Sequence, residues 1–260
     1  MSVQEPPMVN TAHTSKQFDS ELDAIRDRVL QMGGLVEHQI ERAIESLLNN
    51  DETLMARVIA DDKRVNGMEV GIDEACNYII ARRQPTAGDL RMVMTMIKTI
   101  TDLERIGDEA KKIARMAQIL SKKERVYGVP RYTQIRHAAI LVLDMLRMSL
   151  DAFARLDLSA VSHIVRQDGL VDDEYRAILR NLITYMMEDP RTISTAFEIL
   201  FVAKAIERIG DHAKNMSEYV VYMIKGRDVR HVTVEEIELE VQKAVRADAV
   251  LQQAGHQAEI

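Results

Sequence analysis

The sequence predicts an all-α protein of two tandem antiparallel three-helix bundles, on three observations. Apolar residues recur at three- and four-residue steps over six long stretches, the period of a buried helical stripe. Glycine (11) and proline (5) are scarce, tryptophan is absent and aromatic residues are only 4%, which favours long helices over sheets. One pentapeptide, Glu104-Arg105-Ile106-Gly107-Asp108, returns as Glu207-Arg208-Ile209-Gly210-Asp211 with its apolar frame in register. Ile113 answers Met216, Ala117 answers Val220 and Leu120 answers Met223. A motif that keeps its frame over about five helical turns marks a duplication.

Residues 1–14, with Pro6-Pro7 and little apolar content, read as a disordered arm. A first helix is expected from about Ser15 to Leu48, with Leu22, Ile25, Val29, Met32, Val36, Ile40 and Leu47 as its stripe; Gly33-Gly34 inside it marks a kink or a close helix contact. Asn49-Asn50-Asp51 is a turn and N-cap signal for a second helix ending near Arg83. Its stripe is Val58, Asp62, Val65, Glu69, Ile72, Cys76 and Ile79, so two acids stand where the period asks for apolar groups. Pro85-Thr86 turns the chain, with Thr86 and Asp89 placed as a capping-box variant. The third helix, about Ala87 to Leu120, is apolar along Leu90, Met94, Ile97 and along Met96, Ile100, Leu103, and carries the first pentapeptide.

Residues 15–120 thus make the first bundle, and 121–131, with Lys122-Lys123, Gly128 and Pro130, the linker; Pro130 is suited to open the next helix. The fourth helix has Ile135, Ala138, Val142, Met145, Ala152 and Leu156 on one line. Asp157 is read as capping the fifth, whose stripe includes Ile164, Asp168, Val171, Tyr175, Ile178 and Leu182; Asp168 falls where Asp62 fell. Asp189-Pro190 starts the sixth, which carries the second pentapeptide and closes a second bundle over 132–226. Residues 227–260 offer a short amphipathic helix, about Val234 to Val245, and a polar tail.

Composition narrows the function. With 47% hydrophobic and 29% charged residues the chain is globular, and its formal net charge of -7 argues against holding nucleic acid. The only cysteine, Cys76, excludes an intramolecular disulfide and a thiolate metal cluster, and on the apolar stripe it reads as a buried thiol. Met1 to His13 has no basic start and no apolar core of a signal peptide, and no apolar run approaches the ~18 residues of a membrane span. Cytoplasm, without membrane insertion, is the expected location.

The chemistry lies in the carboxylates. Glu104/Asp108 and Glu207/Asp211 stand at i and i+4, on one helix face a turn apart. With the helix turns as rulers, Asn66 and Asp62 lie level with Glu104 and Asp108 across the first hairpin, and Asp172 and Asp168 level with Glu207 and Asp211 across the second. Two readings follow: solvated faces with ion pairs to Lys111, Lys112 and Lys214 or to arginines across the hairpin, or oxygen ligands for a hard cation. The second half, with four carboxylates against three and the Asn66 amide, is expected to bind the tighter. Gly107 and Gly210 are expected to leave room for a neighbouring backbone or a ligand. His212 reads as solvent-exposed, and no Glu-x-x-His pair supports a di-iron oxidase. A Gly-rich phosphate loop, a Gly-x-Ser-x-Gly elbow and a Cys–His pair are absent from the sequence.

The doubled Glu-Arg-Ile-Gly-Asp, with Met32-Gly33-Gly34-Leu35-Val36-Glu37, Arg83-Gln84-Pro85, Thr101-Asp102-Leu103 and Met186-Met187-Glu188-Asp189-Pro190-Arg191-Thr192-Ile193-Ser194, resembles the PhoU family of phosphate-specific transport accessory proteins over about residues 15–225. The resemblance implies a PhoU-like, spectrin-type duplication, often a homodimer, in the bacterial cytoplasm. It implies a negative regulator of the phosphate-starvation response that connects the ATPase subunit of the phosphate ABC transporter to a sensor histidine kinase. It also implies surface sites for iron, zinc, magnesium or manganese, at Glu104/Asp108, Glu207/Asp211 and Asp168/Asp172, with Asp62/Asn66 departing by one amide. The alternative is a carboxylate-cluster metalloenzyme, hydrolytic or redox; the absence of a nucleophile signal and of a histidine base beside the motifs favours the regulator.

Overall fold

The computed structural model describes residues 16–123 and 132–229, together with 232, 235, 236 and 239. Among them every regular element is a helix: α1 (Lys16–Asn49), α2 (Glu52–Arg83), α3 (Ala87–Ser121), α4 (Thr133–Arg155), α5 (Val161–Glu188) and α6 (Ile193–Lys225), the last entered through a 3-10 turn, Pro190–Thr192. The expected arm, Pro130 and most of the expected helix at Val234 to Val245 lie outside the described residues.

The stripes explain the packing. Val29, Met32, Val36 and Ile40 of α1, Val58, Val65 and Ile72 of α2, and Met96, Leu103, Ile106 and Ile113 of α3 are buried to within 1% and form the core of the first bundle. Val142 and Met145 of α4, Ile164 and Val171 of α5, and Ile206 and Ile209 of α6 do the same in the second. Each fully buried aliphatic side chain contributes about 1.5–3 kcal/mol relative to exposure. The two cores are continuous, because α3 packs antiparallel against α6 and α1 against α4. Lys98 lies 5.1 Å over the Tyr222 ring at one end of the α3–α6 pair, and Lys123 donates to Ser194 at the other. Gly33 is the close contact between α1 and α4, since the Leu150 side chain fills the space a Cβ would take; Gly34 has nothing near it. Cys76 is buried, and burial pushes its thiol up to about 11.

The local signals met mixed outcomes. Asp51 caps α2, accepting from the Leu54 amide at 3.0 Å, and Asp189 accepts from the Arg191 amide at the 3-10 turn. Thr86 donates its hydroxyl to Asp89 at 3.0 Å and makes no side-chain cap to the backbone. Asp157 does not cap α5: it accepts from the Ser159 amide and hydroxyl in the preceding turn, and Ala160 holds the N-cap position. That turn satisfies the aspartate locally and displaces the helix start by one turn. Of the Leu90, Met94 and Ile97 line of α3, Leu90 and Met94 are exposed and Ile97 is partly buried against the core, whereas Met96, Ile100 and Leu103 on the other line are buried.

Candidate functional site

The first acidic cluster lies between α2 and α3. Asp62 replaces an apolar residue on the buried stripe of α2 and is only 4% exposed. Lys111, one turn beyond the pentapeptide, donates to Asp62 Oδ2 at 2.7 Å and to Asp108 Oδ1 at 2.9 Å, so one ammonium ties two carboxylates from two helices. Burial pulls the Lys111 ammonium down, but the bonds to Asp62 and Asp108 outweigh it and hold it above the usual lysine range. Glu104 is pushed up by desolvation and by the charges of Asp108, Glu69 and Asp62, against which Lys111 acts. Glu69 is raised as well, by desolvation, Asp73 and Asp108, with Arg105 opposing. Glu69 is therefore a member of this cluster that the ruler missed; its signal was an acid on the apolar stripe, two turns from Asp62 on the same face. Asn66 Oδ1 is buried without a hydrogen-bond partner.

The second cluster lies between α5 and α6. Lys214, the counterpart of Lys111, donates to Asp168 Oδ2 at 2.8 Å. A second lysine, Lys204, donates to Glu207 Oε1 at 2.6 Å and lies 5.3 Å from the Tyr175 ring. Glu207 Oε2 is left buried with no partner. Desolvation and the neighbouring charges of Glu207 and Asp168 push Asp211 up to about 6, while Lys214 and Lys204 oppose them. Asp172 is drawn elsewhere, to Arg176 on its own helix at 3.4 Å. In the first half Lys111 bridges Asp62 and Asp108, with Glu104 and Glu69 within reach of their charges; in the second Lys214 holds Asp168 and Lys204 holds Glu207, with Asp211 within reach of both acids.

Both halves share one register. Where the ruler levelled Asp62 with Asp108 and Asp168 with Asp211, the side chains meet one turn further on, at Lys111 and Lys214. Asp62 and Asp168 take lysines across the hairpin and not arginines. Gly107 and Gly210 face side chains and not a neighbouring backbone: a Cβ on Gly107 would meet Gln39 and Val65, and one on Gly210 would meet Val142 at 3.3 Å. His212 is buried, with Nδ1 2.8 Å from Asp102 Oδ1 across the α3–α6 contact. Arg208 joins Glu109 at 2.9 Å in the same contact, so charged pairs link the two bundles at the level of the motifs. The wheel of α6 alone could not place His212, since α3 covers it from the other half.

The donor set tests the cation reading. Every candidate ligand is an oxygen, which suits magnesium, manganese or ferric ions better than zinc. Three buried oxygens in the clusters, Asp62 Oδ1, Asn66 Oδ1 and Glu207 Oε2, lack a partner. As the side chains lie, however, no three His, Cys, Asp or Glu groups among the described residues converge on one metal position. The lysines occupy the carboxylates instead. As placed, the described residues form no metal site; a cation would first have to displace an ammonium.

Comparison with known proteins gives concordant results. The PhoU domain family matches residues 29–117 and again 135–220, once in each bundle. The phosphate-specific transport system accessory protein PhoU of Escherichia coli K12 is 50% identical over 227 residues, 87% of this chain and 92% of that one. The crystal structure of PhoU from Pseudomonas aeruginosa superposes with a TM-score of 0.78 at 44% identity, over 81% of this chain and all of that one. That of the phosphate transport system regulatory protein PhoU from Streptococcus pneumoniae gives 0.75 at 28% identity, over 82% and 99%.

Proposed function

This chain belongs to the PhoU family, and from that premise we propose that it is the brake on the phosphate-starvation regulon of its cell, acting by contact between the phosphate transporter and the machinery that reads it. The coarse role follows from the family: a regulatory accessory protein of phosphate transport, not an enzyme. The finer reading is negative regulation through two partners, the ATPase subunit of the phosphate ABC transporter and the sensor histidine kinase of the phosphate two-component system, by a cytoplasmic homodimer. One observation carries it: the family pattern occurs twice, once per bundle, and each copy places a Glu-Arg-Ile-Gly-Asp motif in the contact between the bundles or on the acidic surface beside it. No described helix is long and apolar enough to cross a membrane, so the chain reaches the transporter by docking.

The clusters are proposed as cation sites of this regulator. Asp62, Glu69, Glu104 and Asp108, with the Asn66 amide oxygen, would hold an ion in the first half; Asp168, Glu207 and Asp211 would do so in the second, joined by Asp172 once it leaves Arg176. A bound divalent or ferric ion would neutralise crowded carboxylates and tie α2 to α3 or α5 to α6. What supports this is the set of partnerless buried oxygens, Asp62 Oδ1, Asn66 Oδ1 and Glu207 Oε2, and the burial and mutual repulsion that raise Glu104 and Asp211.

The regulatory reading is tested with a phosphate-regulated promoter reporter in a strain lacking this gene. The reporter is expected to stay on in high phosphate and to return to the repressed level on complementation. Full repression in the deletion strain would refute the brake.

A further inference from the structure

We propose that a basic strip along the α3–α6 contact is the docking site of the chain's own C-terminal segment, about Val234 to Val245, which lies along it as an amphipathic helix over the join between the two bundles. The strip is built at helical steps on α3. Lys98, Asp102, Arg105, Glu109 and Lys112 follow one another at four- and three-residue spacing, so cations and acids alternate along one line. The acids are sunk and the cations are not. Asp102 is 2% exposed against 57% for its neighbour Arg105, and His212 of α6 holds its Oδ1. Glu109 is 8% exposed against 46% for Arg208 of α6, and Lys112 shares it. Lys98 lies 5.4 Å and 5.1 Å over the Tyr219 and Tyr222 rings of α6. Two carboxylates under four cations leave the strip positive towards solvent, on a chain whose formal net charge is -7. The exposed apolar residues Met94 and Leu90 stand one and two turns before Lys98.

The tail begins where the strip begins. Helix α6 closes at Gly226, whose left-handed φ of 69° turns the chain beside Arg91 of α3; a Cβ there would stand 3.4 Å from the guanidinium. Val229 is then buried in the core and anchors the chain at this end. Arg91 Nε is buried with no partner, a donor without an acceptor at the exit. Beyond it the sequence supplies the complementary charge: residues 234–245 hold Glu235, Glu236, Glu238 and Glu240 against Lys243 alone. By helical spacing Val234, Ile237, Val241 and Val245 share one face, with Glu238 and Glu240 on its two edges. Glu235, Glu236 and Leu239, which are helical and exposed, fall on the other side. A helix over 234–245 spans about 18 Å and the stretch of α6 from Tyr222 back to Arg208 about 21 Å, so the segment reaches from its anchor to the two arginines. Covered in this way, the strip is closed to any acidic partner until the tail leaves.

The test is hydrogen exchange on the purified full-length chain, joined to carbodiimide coupling of carboxylates to lysines with the coupled peptides located by mass spectrometry. An isolated helix of this length is marginal in water, so protection reports docking and not the helix alone. Tail amides are expected to exchange at least ~10-fold slower than a free chain, less so at ~1 M salt, and tail glutamates to couple to Lys98 or Lys112. Lys98→Glu with Arg105→Glu, and separately Glu238→Lys with Glu240→Lys, should each abolish the protection, and all four changes together should restore it. Ile237→Ser with Val241→Ser should abolish it as well; these positions lie outside the bundles, so this variant carries the test should the α3 variant fold poorly. In a mixture of isotope-labelled and unlabelled chains, coupled pairs should carry a single label. Tail amides exchanging at the free-chain rate, protection that survives both charge reversals, or coupling only to lysines elsewhere would overturn the docking. Pairs of mixed label would overturn the assignment to the same chain and give the strip to the tail of a second copy.

Discussion

Gly33 and Leu150 offer a direct measure of how tightly the two bundles are joined. A Cβ built on Gly33 would lie 2.8 Å from Leu150 Cδ1 and closer still to Cδ2, both on α4 across the interface. Gly33→Ala should gain up to ~1 kcal/mol of helix propensity and lose about 1–3 kcal/mol to overpacking, for a net loss of up to roughly 2 kcal/mol. Leu150, 9% exposed, should lose ~2 kcal/mol on truncation to alanine, the low end of the leucine-to-alanine range. In the double variant the new methyl moves into the space Leu150 vacates, so the clash disappears and part of the cavity is filled. The double-mutant cycle should therefore show about 1–3 kcal/mol of favourable coupling, read from urea midpoints at constant slope. Gly34→Ala is the control: with nothing within 4 Å of its Cβ it should stabilise by up to ~1 kcal/mol. Additivity within ~0.5 kcal/mol for Gly33 and Leu150 would refute the interlock of α1 and α4.

Asp211 should impose a pH dependence. Its carboxyl is raised from 3.8 to about 6 on folding, so the folded chain holds a proton that the unfolded chain releases. This contribution favours the fold as pH falls from 6 towards 4 and weighs against it above 6. Asp211→Asn should then raise the melting temperature at pH 7.5, less at pH 5, and not at all near pH 3.5; a gain independent of pH would contradict the raised carboxyl. Gly210→Leu should fail through packing, because a Cβ there already stands 3.3 Å from Val142 and a leucine overpacks the core by about 1–3 kcal/mol or more. Circular dichroism and thermal melts should show the loss, and a fully stable Gly210→Leu protein that still releases repression would restore a surface role for the glycine.

The sequence by itself determined what depends on spacing along one helix. Six apolar stripes specified six helices, and the doubled pentapeptide specified the duplication, because period and repeat are properties of the chain before it folds. The acidic residues at Asp62 and Asp168 were legible as exceptions on those stripes, and the ruler levelled them with the right partner helix. What the sequence could not supply was the azimuth of each helix against its neighbours. His212 reads as exposed on the wheel of α6 and is buried because Asp102 of the other half stands 2.8 Å away. Glu69 reads as one more misplaced acid and joins the first cluster because α3 brings Asp108 and Glu104 beside it. Lys111 and Lys214 lie three residues past their aspartates in sequence and would serve equally as local ion pairs. Only the packing of α2 on α3 and of α5 on α6, one turn off the symmetric register, turns their ammoniums into the cations that hold Asp62 and Asp168.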